Sequence, residues 1–217
     1  MGVKKKELEK IVGSIPDFSN PRVELEQYAS PPHLVSRLIW VAAFTFNDII
    51  EKNIIDLGSG TGRIGLAAAF LGASQVTMVE IDKRAARTSW EEAKRLSLDT
   101  AVDVVCSDIK TFNVSRKFAT AIQNPPFGVH RKGADIEFLK ASMKLALVVY
   151  SVHKHEALDY LIKWTASKGV RANVIFEETI LLPRIYKFHY KQRHEVKVVV
   201  VRLESEGLGF EEGKERE

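Results

Sequence analysis

The chain has a single cysteine in 217 residues, Cys106, which excludes an internal disulfide framework and a cysteine-rich zinc site. That scarcity suits a reducing compartment. No apolar run approaches the length of a membrane span, and the N-terminus opens MGVKKKELEK with no apolar stretch behind it. The expectation is a soluble, cytoplasmic protein. Internal repeats are absent. The six histidines and the acidic residues show no ligand spacing, so no metal is expected.

What is present is an ordinary globular composition, 45% apolar and 28% charged, enough for one domain with a full core. Charge is spread unevenly. Residues 204–217 (ESEGLGFEEGKERE) hold six Glu, one Lys and one Arg, and this acidic tail is expected to be disordered. Of 32 basic and 28 acidic residues, 30 and 22 therefore remain on 1–203, a single domain of charge +8. A body of that sign attracts a polyanion, most often nucleic acid; the alternative is a surface merely solubilised by lysine.

Residues 1–30 are polar and irregular, with a short helix expected over the first dozen. Ser30-Pro31-Pro32 reads as a helix start, a hydroxyl N-cap followed by prolines where no amide donor is needed. The following LVSRLIWVAAF is apolar on nearly every turn, which predicts a buried helix. From residue 53 the pattern alternates. NIIDLG, QVTMVEID, VDVVCSD, ATAIQNPPF and the short VVYSV read as strands. RIGLAAAFLG, KRAARTSWEEAKRL and the stretches near 134–147 and 155–167 read as helices. Two long β-rich runs, GVRANVIFEETILL and EVKVVVVRLE, close the chain without a helix between them. This order predicts an α/β fold: a seven-stranded, mostly parallel sheet with helices on both faces and a reversed last strand.

Asp56-Leu57-Gly58-Ser59-Gly60-Thr61-Gly62 lies between the first strand and its helix, where glycines permit a tight turn and close approach of a ligand. Glu80 ends the second strand 22 residues after Gly58, where a carboxylate can accept from two ribose hydroxyls. Ile81 follows it. Asp108 ends the third strand and can receive an adenine amine. Gly60, Gly62 and Gly65 also fit the dinucleotide fingerprint, but that match alone is weak. A carboxylate at Asp56 would repel a pyrophosphate and attract the ammonium of an amino-acid moiety. The D-x-G-x-G-x-G arrangement resembles motif I of class I methyltransferases that use S-adenosylmethionine.

Asn124-Pro125-Pro126-Phe127 ends the fourth strand beside the same crevice. The prolines remove two amide donors, leaving carbonyls free to accept. The Asn124 side-chain oxygen and the Pro125 carbonyl can together accept both hydrogens of one NH₂ group. An exocyclic amine held this way turns toward tetrahedral geometry and aims its lone pair at a sulfonium methyl. Phe127 offers a face on which a flat base or amide stacks. The tetrapeptide resembles the (N/D/S)-P-P-(Y/F/W) motif of methyltransferases acting on planar nitrogens.

Together with Leu25-Glu26-Gln27-Tyr28-Ala29-Ser30, Val149-Tyr150-Ser151-Val152-His153-Lys154 and Tyr186-Lys187-Phe188-His189, these motifs resemble the methyltransferase-like protein 5 family over roughly residues 5–203. The resemblance implies a class I, Rossmann-like methyltransferase fold and transfer from S-adenosylmethionine to adenine N6 in small-subunit ribosomal RNA. It also implies a small zinc-containing activator of the Trm112 type as partner. By the same resemblance Gln27 and Ser30, in a covering segment over 1–30, would close over the cofactor. Gly58, Thr61 and Arg63 would line it, Glu80 would hold its ribose, and Asp108 and Ile109 its adenine. Asn124 to Phe127 would hold the target base. The same tetrapeptide also suits a protein glutamine N5 or an RNA guanine-N2 methyltransferase. An NAD-binding oxidoreductase is the third alternative, opposed by Asp56 and the NPPF tetrapeptide.

Candidate RNA contacts are Arg131 and Lys132 beyond the tetrapeptide, and His153 and Lys154 after the fifth strand. The run from Arg184 to Lys197 adds Arg184, Lys187, His189, Lys191 and Arg193, interleaved with Tyr186, Phe188 and Tyr190. The third strand, Val102 to Asp108, belongs at a sheet edge in this fold and lacks the lysine or proline that blunts exposed edges.

Overall fold

The computed structural model describes residues 3–183 and 193–204. Thirteen principal helices and strands follow one another among them: α1 (Lys5–Ser14), α2 (Pro32–Phe44), β1 (Asn53–Leu57), α3 (Arg63–Phe70), β2 (Gln75–Glu80), α4 (Lys83–Arg95), β3 (Val102–Cys106), β4 (Phe118–Gln123), α5 (Ala134–Leu145), β5 (Ala146–Lys154), α6 (Leu158–Ala166), β6 (Ala172–Pro183) and β7 (Arg193–Glu204). They build one sheet of order β3-β2-β1-β4-β5-β7-β6. β1 to β5 run parallel, and β7 is antiparallel to both β5 and β6. The expected seven strands and reversed last strand are present. The fifth strand is longer than VVYSV, because its residues pair with β4 and β7 on either side.

Side chains alternate across a strand, so each strand feeds two cores. Ile54, Val76, Met78, Val198 and Val200 join Leu8 of α1 and Leu34, Leu38 and Ile39 of α2 on one face. Ile55, Leu57, Val79, Val199 and Val201 join Leu139 and Met143 of α5 and Leu161 of α6 on the other. Burial on both faces is why these strands read as continuous apolar runs.

One local expectation is corrected. Helix α2 begins at Pro32 with Pro31 as its N-cap, and no side chain caps it. The Ser30 hydroxyl is engaged elsewhere, on the Asn124 amide at 2.9 Å. The acidic tail beyond Glu204 lies outside the described residues.

Candidate active site

Strands β1 to β4 are parallel, so their carboxyl ends share one edge of the sheet, where their loops wall a cleft of about 1000 Å³ open to solvent. Gly58 and Gly60 come from the loop after β1, and Glu80 and Ile81 from the end of β2. Asp108 and Ile109 follow β3, Asn124, Pro125 and Pro126 follow β4, and Gln27 comes from the N-terminal segment. An adjoining recess is walled by Ser30, Thr61 and Arg63, and shares Gly58, Gly60 and Asn124 with the cleft. Most of the predicted site residues are thus brought together.

The glycine loop folds around a carboxylate. Gly60 has a φ of +56°, and a Cβ there would lie 2.7 Å from the Phe18 ring, so any side chain would be strained and would have to displace that ring. Its amide donates to Glu80 Oε2 at 2.8 Å, and the Asp82 amide donates to Oε1 at 2.8 Å. Burial pushes the Glu80 carboxyl up, and the two amides oppose that rise. Each oxygen keeps a further lone pair for a ligand hydroxyl.

Asp56 does not face the cleft. It is 1% exposed beneath the loop and accepts the Gly65 amide on Oδ2 at 2.8 Å, while Oδ1 is buried without a partner. Burial pushes its carboxyl up to about 7 against the pull of the Gly65 amide, and Glu80 adds to the rise. The expected direct contact with a ligand ammonium is therefore corrected: Asp56 anchors the start of α3. Gly65 completes the dinucleotide-like spacing for a packing reason, since a Cβ there would sit 2.6 Å from Met78. Gly62, the residue that caps α3, also stays out of the cleft wall.

Asn124 stands where the cleft and the recess meet. Its Nδ2 donates to Ser30 Oγ at 2.9 Å, and its Oδ1 accepts from the Tyr28 hydroxyl at 3.1 Å. Phe127 lies just outside the cleft wall, its ring 5.7 Å from that of Tyr28 and 5.6 Å from Lys154 Nζ. Tyr28, Phe18 and Phe138 line the cleft and escaped the sequence reading. The signal for Tyr28 was its place between Gln27 and Ser30.

The expectation for His153 is corrected as well. It is 1% exposed, so it cannot reach a phosphate. Its Nε2 lies 2.7 Å from Ser151 Oγ, and its Nδ1 lies 3.6 Å from Asp135 Oδ2. Gln123 Nε2 donates to the same serine at 3.0 Å. Ser151 Oγ thus links Gln123 to His153, whose other ring nitrogen faces Asp135. Burial tends to raise the Asp135 carboxyl, but His153 together with the backbone amides of Ile136 and Asp135 holds the group below its ordinary range. Arg131 lines the mouth of the cleft in an ion pair with Glu137, and Lys132 is exposed beside it. Arg184, Lys187, His189 and Lys191 lie outside the described residues; Arg193 opens β7.

The cleft suits a nucleoside–amino-acid ligand in three respects. A buried carboxylate with spare lone pairs ends β2, Val79, Ile81 and Ile109 offer apolar contact for a flat base, and Ser59 Oγ is buried without a partner in the recess. Comparison with known proteins agrees with that arrangement. The family model for the methyltransferase small domain matches residues 38–147. The chain is 35% identical over 206 residues to the rRNA N(6)-adenosine-methyltransferase METTL5 of Danio rerio, covering 93% of this chain and 99% of that one. The Drosophila melanogaster protein of that name is 32% identical over 207 residues, covering 93% and 97%. A Pyrococcus horikoshii crystal structure, described as that of a proposed RNA methyltransferase, superposes with a TM-score of 0.83 at 33% identity. It covers 94% of this chain and 97% of that one. The fold is that of a class I methyltransferase, and the chain belongs to the methyltransferase-like protein 5 family.

Proposed function

We propose that this protein uses S-adenosylmethionine to methylate adenine N6 in ribosomal RNA of the small subunit. The observation that carries this reading is the position of Asn124 where the cleft meets the adjoining recess, with Pro125 next to it in the cleft wall. When bound, S-adenosylmethionine supplies an electrophilic methyl on sulfonium. Glu80 would hold its ribose, Asp108 its adenine amine and Ile81 and Ile109 the faces of its base. Gln27 and the Thr61–Arg63 turn would enclose its amino-acid end. On the target side, Asn124 Oδ1 and the Pro125 carbonyl accept the two hydrogens of the adenine amine. Phe127 stacks on the base, and Pro126 keeps the local backbone rigid. Catalysis rests on orientation of the amine toward the methyl and on the preorganised acceptors that hold it. A test is to supply labelled S-adenosylmethionine with total RNA and protein extract: label in RNA supports the reading, and label confined to protein contradicts it.

The RNA path would run over Arg131, Lys132 and Lys154, and the basic residues from Arg184 to Arg193 are further candidates by their sequence alone. Lys154 Nζ lies 5.6 Å from the Phe127 ring, which supports its contact with the phosphate of a nucleotide whose base stacks there. If these residues pair with phosphates, each neutral replacement should flatten the dependence of binding on log salt by roughly 0.7 for a single strand. A slope unchanged after replacing both Lys132 and Lys154 would remove them from the interface.

The partner reading concerns β3, an edge strand whose outer side pairs with no strand among the described residues. The Ser107 amide bonds to the Glu80 carbonyl, and the Val76 amide to the Ala101 carbonyl. Odd-numbered residues therefore face β2, and the backbone groups of Val102, Val104 and Cys106 point outward. An edge of this kind accepts a strand from another chain, here a small zinc-containing activator of the Trm112 type. Val104→Pro removes an outward donor and leaves the β2 ladder intact. Co-expressed activator should copurify with the wild-type chain and not with this variant; equal recovery would refute edge pairing. With one cysteine and an rRNA substrate, the compartment we assign is the cytoplasm. Among the described residues, no helix is long and apolar enough to cross a membrane.

A further inference from the structure

We infer that the N-terminal segment does more than roof the cofactor cleft: the Tyr28 and Ser30 hydroxyls clamp the Asn124 side-chain amide, which makes Tyr28 a positioning residue for methyl transfer. This rests on the reading of Asn124 as the group that orients the target amine. The terminal torsion of an asparagine is broad, so an unheld amide samples many orientations. Here it is held at both ends, by Tyr28 at Oδ1 (3.1 Å) and by Ser30 at Nδ2 (2.9 Å). A carbonyl oxygen has two lone pairs, so Oδ1 keeps one for an amine hydrogen.

Tyr28 is itself fixed. Its ring packs against Phe127, and burial pushes its phenol up, so the hydroxyl keeps its proton and remains a donor. The backbone that carries it is tied to three separate parts of the site. The Arg63 guanidinium donates to the carbonyls of Ile15 and Ser30 at 2.8 and 3.0 Å, which joins the segment to the start of α3. Gln27 Nε2 donates to Asp82 Oδ2 at 3.1 Å, beyond the end of β2. Glu26 Oε1 accepts the His130 amide at 2.8 Å, beyond the NPPF tetrapeptide. Closure over the cofactor and orientation of the target amine thus depend on one segment. Neither can be set without the other.

Tyr28→Phe keeps the ring and removes only the hydroxyl. It should lower kcat at least about tenfold, because small misplacements of reacting groups carry large rate costs. The KM for RNA and the Kd for S-adenosylhomocysteine should stay within about threefold of wild type, since uniform binding is untouched. The control is Asn124→Ser, whose short side chain lacks the amide that Tyr28 holds. In that background Tyr28→Phe should cost less than about twofold, the non-additivity expected of two groups in direct contact. An unchanged kcat in Tyr28→Phe overturns the inference. So do equal losses in both backgrounds, or a fall in cofactor affinity as large as the fall in rate. Those three results leave the proposed methyltransferase activity standing, whereas a wild-type protein that modifies no adenosine overturns both.

Discussion

Asn124→Ala should lower kcat by about 10²–10³-fold, the loss typical when one preorganised transition-state hydrogen bond is removed. The alanine leaves the Pro125 carbonyl as the sole acceptor for the target amine, so the lone pair is no longer aimed. S-adenosylhomocysteine should still bind with nearly wild-type affinity, because Glu80, Asp108 and Ile109 wall the cleft independently of the Asn124 side chain. The substitution also frees the Tyr28 and Ser30 hydroxyls. A buried group left unpaired costs about 1–3 kcal/mol, so the thermal midpoint should be followed in parallel. A variant that keeps most of its turnover would remove Asn124 from the chemistry.

Glu80→Ala should act on the other half of the reaction. Its carboxylate accepts the Gly60 and Asp82 amides, and both oxygens keep lone pairs for the ribose. Loss of a charged acceptor weakens binding by about 1.5–3 kcal/mol, roughly ten- to 150-fold in Kd for S-adenosylhomocysteine. The glycine loop also loses the group it folds around. Glu80→Gln, which retains one oxygen, should fall between wild type and alanine. Unchanged affinity by calorimetry in the alanine variant would place the ribose contact elsewhere.

The glycine loop, Glu80, Asp108 and the NPPF tetrapeptide were legible in the sequence because each sits at a strand end, and strand ends meet in this topology. The sheet itself was legible for the same reason: two-sided burial writes apolar runs such as NIIDL and KVVVV, with helical periods between them. What stayed hidden depends on contacts between distant segments. His153 follows an apolar strand and reads as a phosphate contact beyond it, yet β5 extends through it to Lys154. In a strand covered on both faces the period gives no inside or outside. Only the fold brings Asp135 and Ser151 to its two nitrogens. Asp56 reads as a cleft carboxylate from its place before the glycines, but the close packing of Gly65 on Met78 brings the Gly65 amide to it. Ser30 fits the local pattern of a helix cap, and the long-range bond to Asn124 overrides that pattern.

The central claim is that the amine held by Asn124 and Pro125 belongs to an adenine in RNA. The most direct test is transfer from labelled S-adenosylmethionine to small-subunit ribosomal RNA, followed by digestion to nucleosides and mass spectrometry. The account predicts label in N6-methyladenosine and its disappearance with Asn124→Ala. Label in N2-methylguanosine, or in N5-methylglutamine when protein is supplied instead, would contradict it.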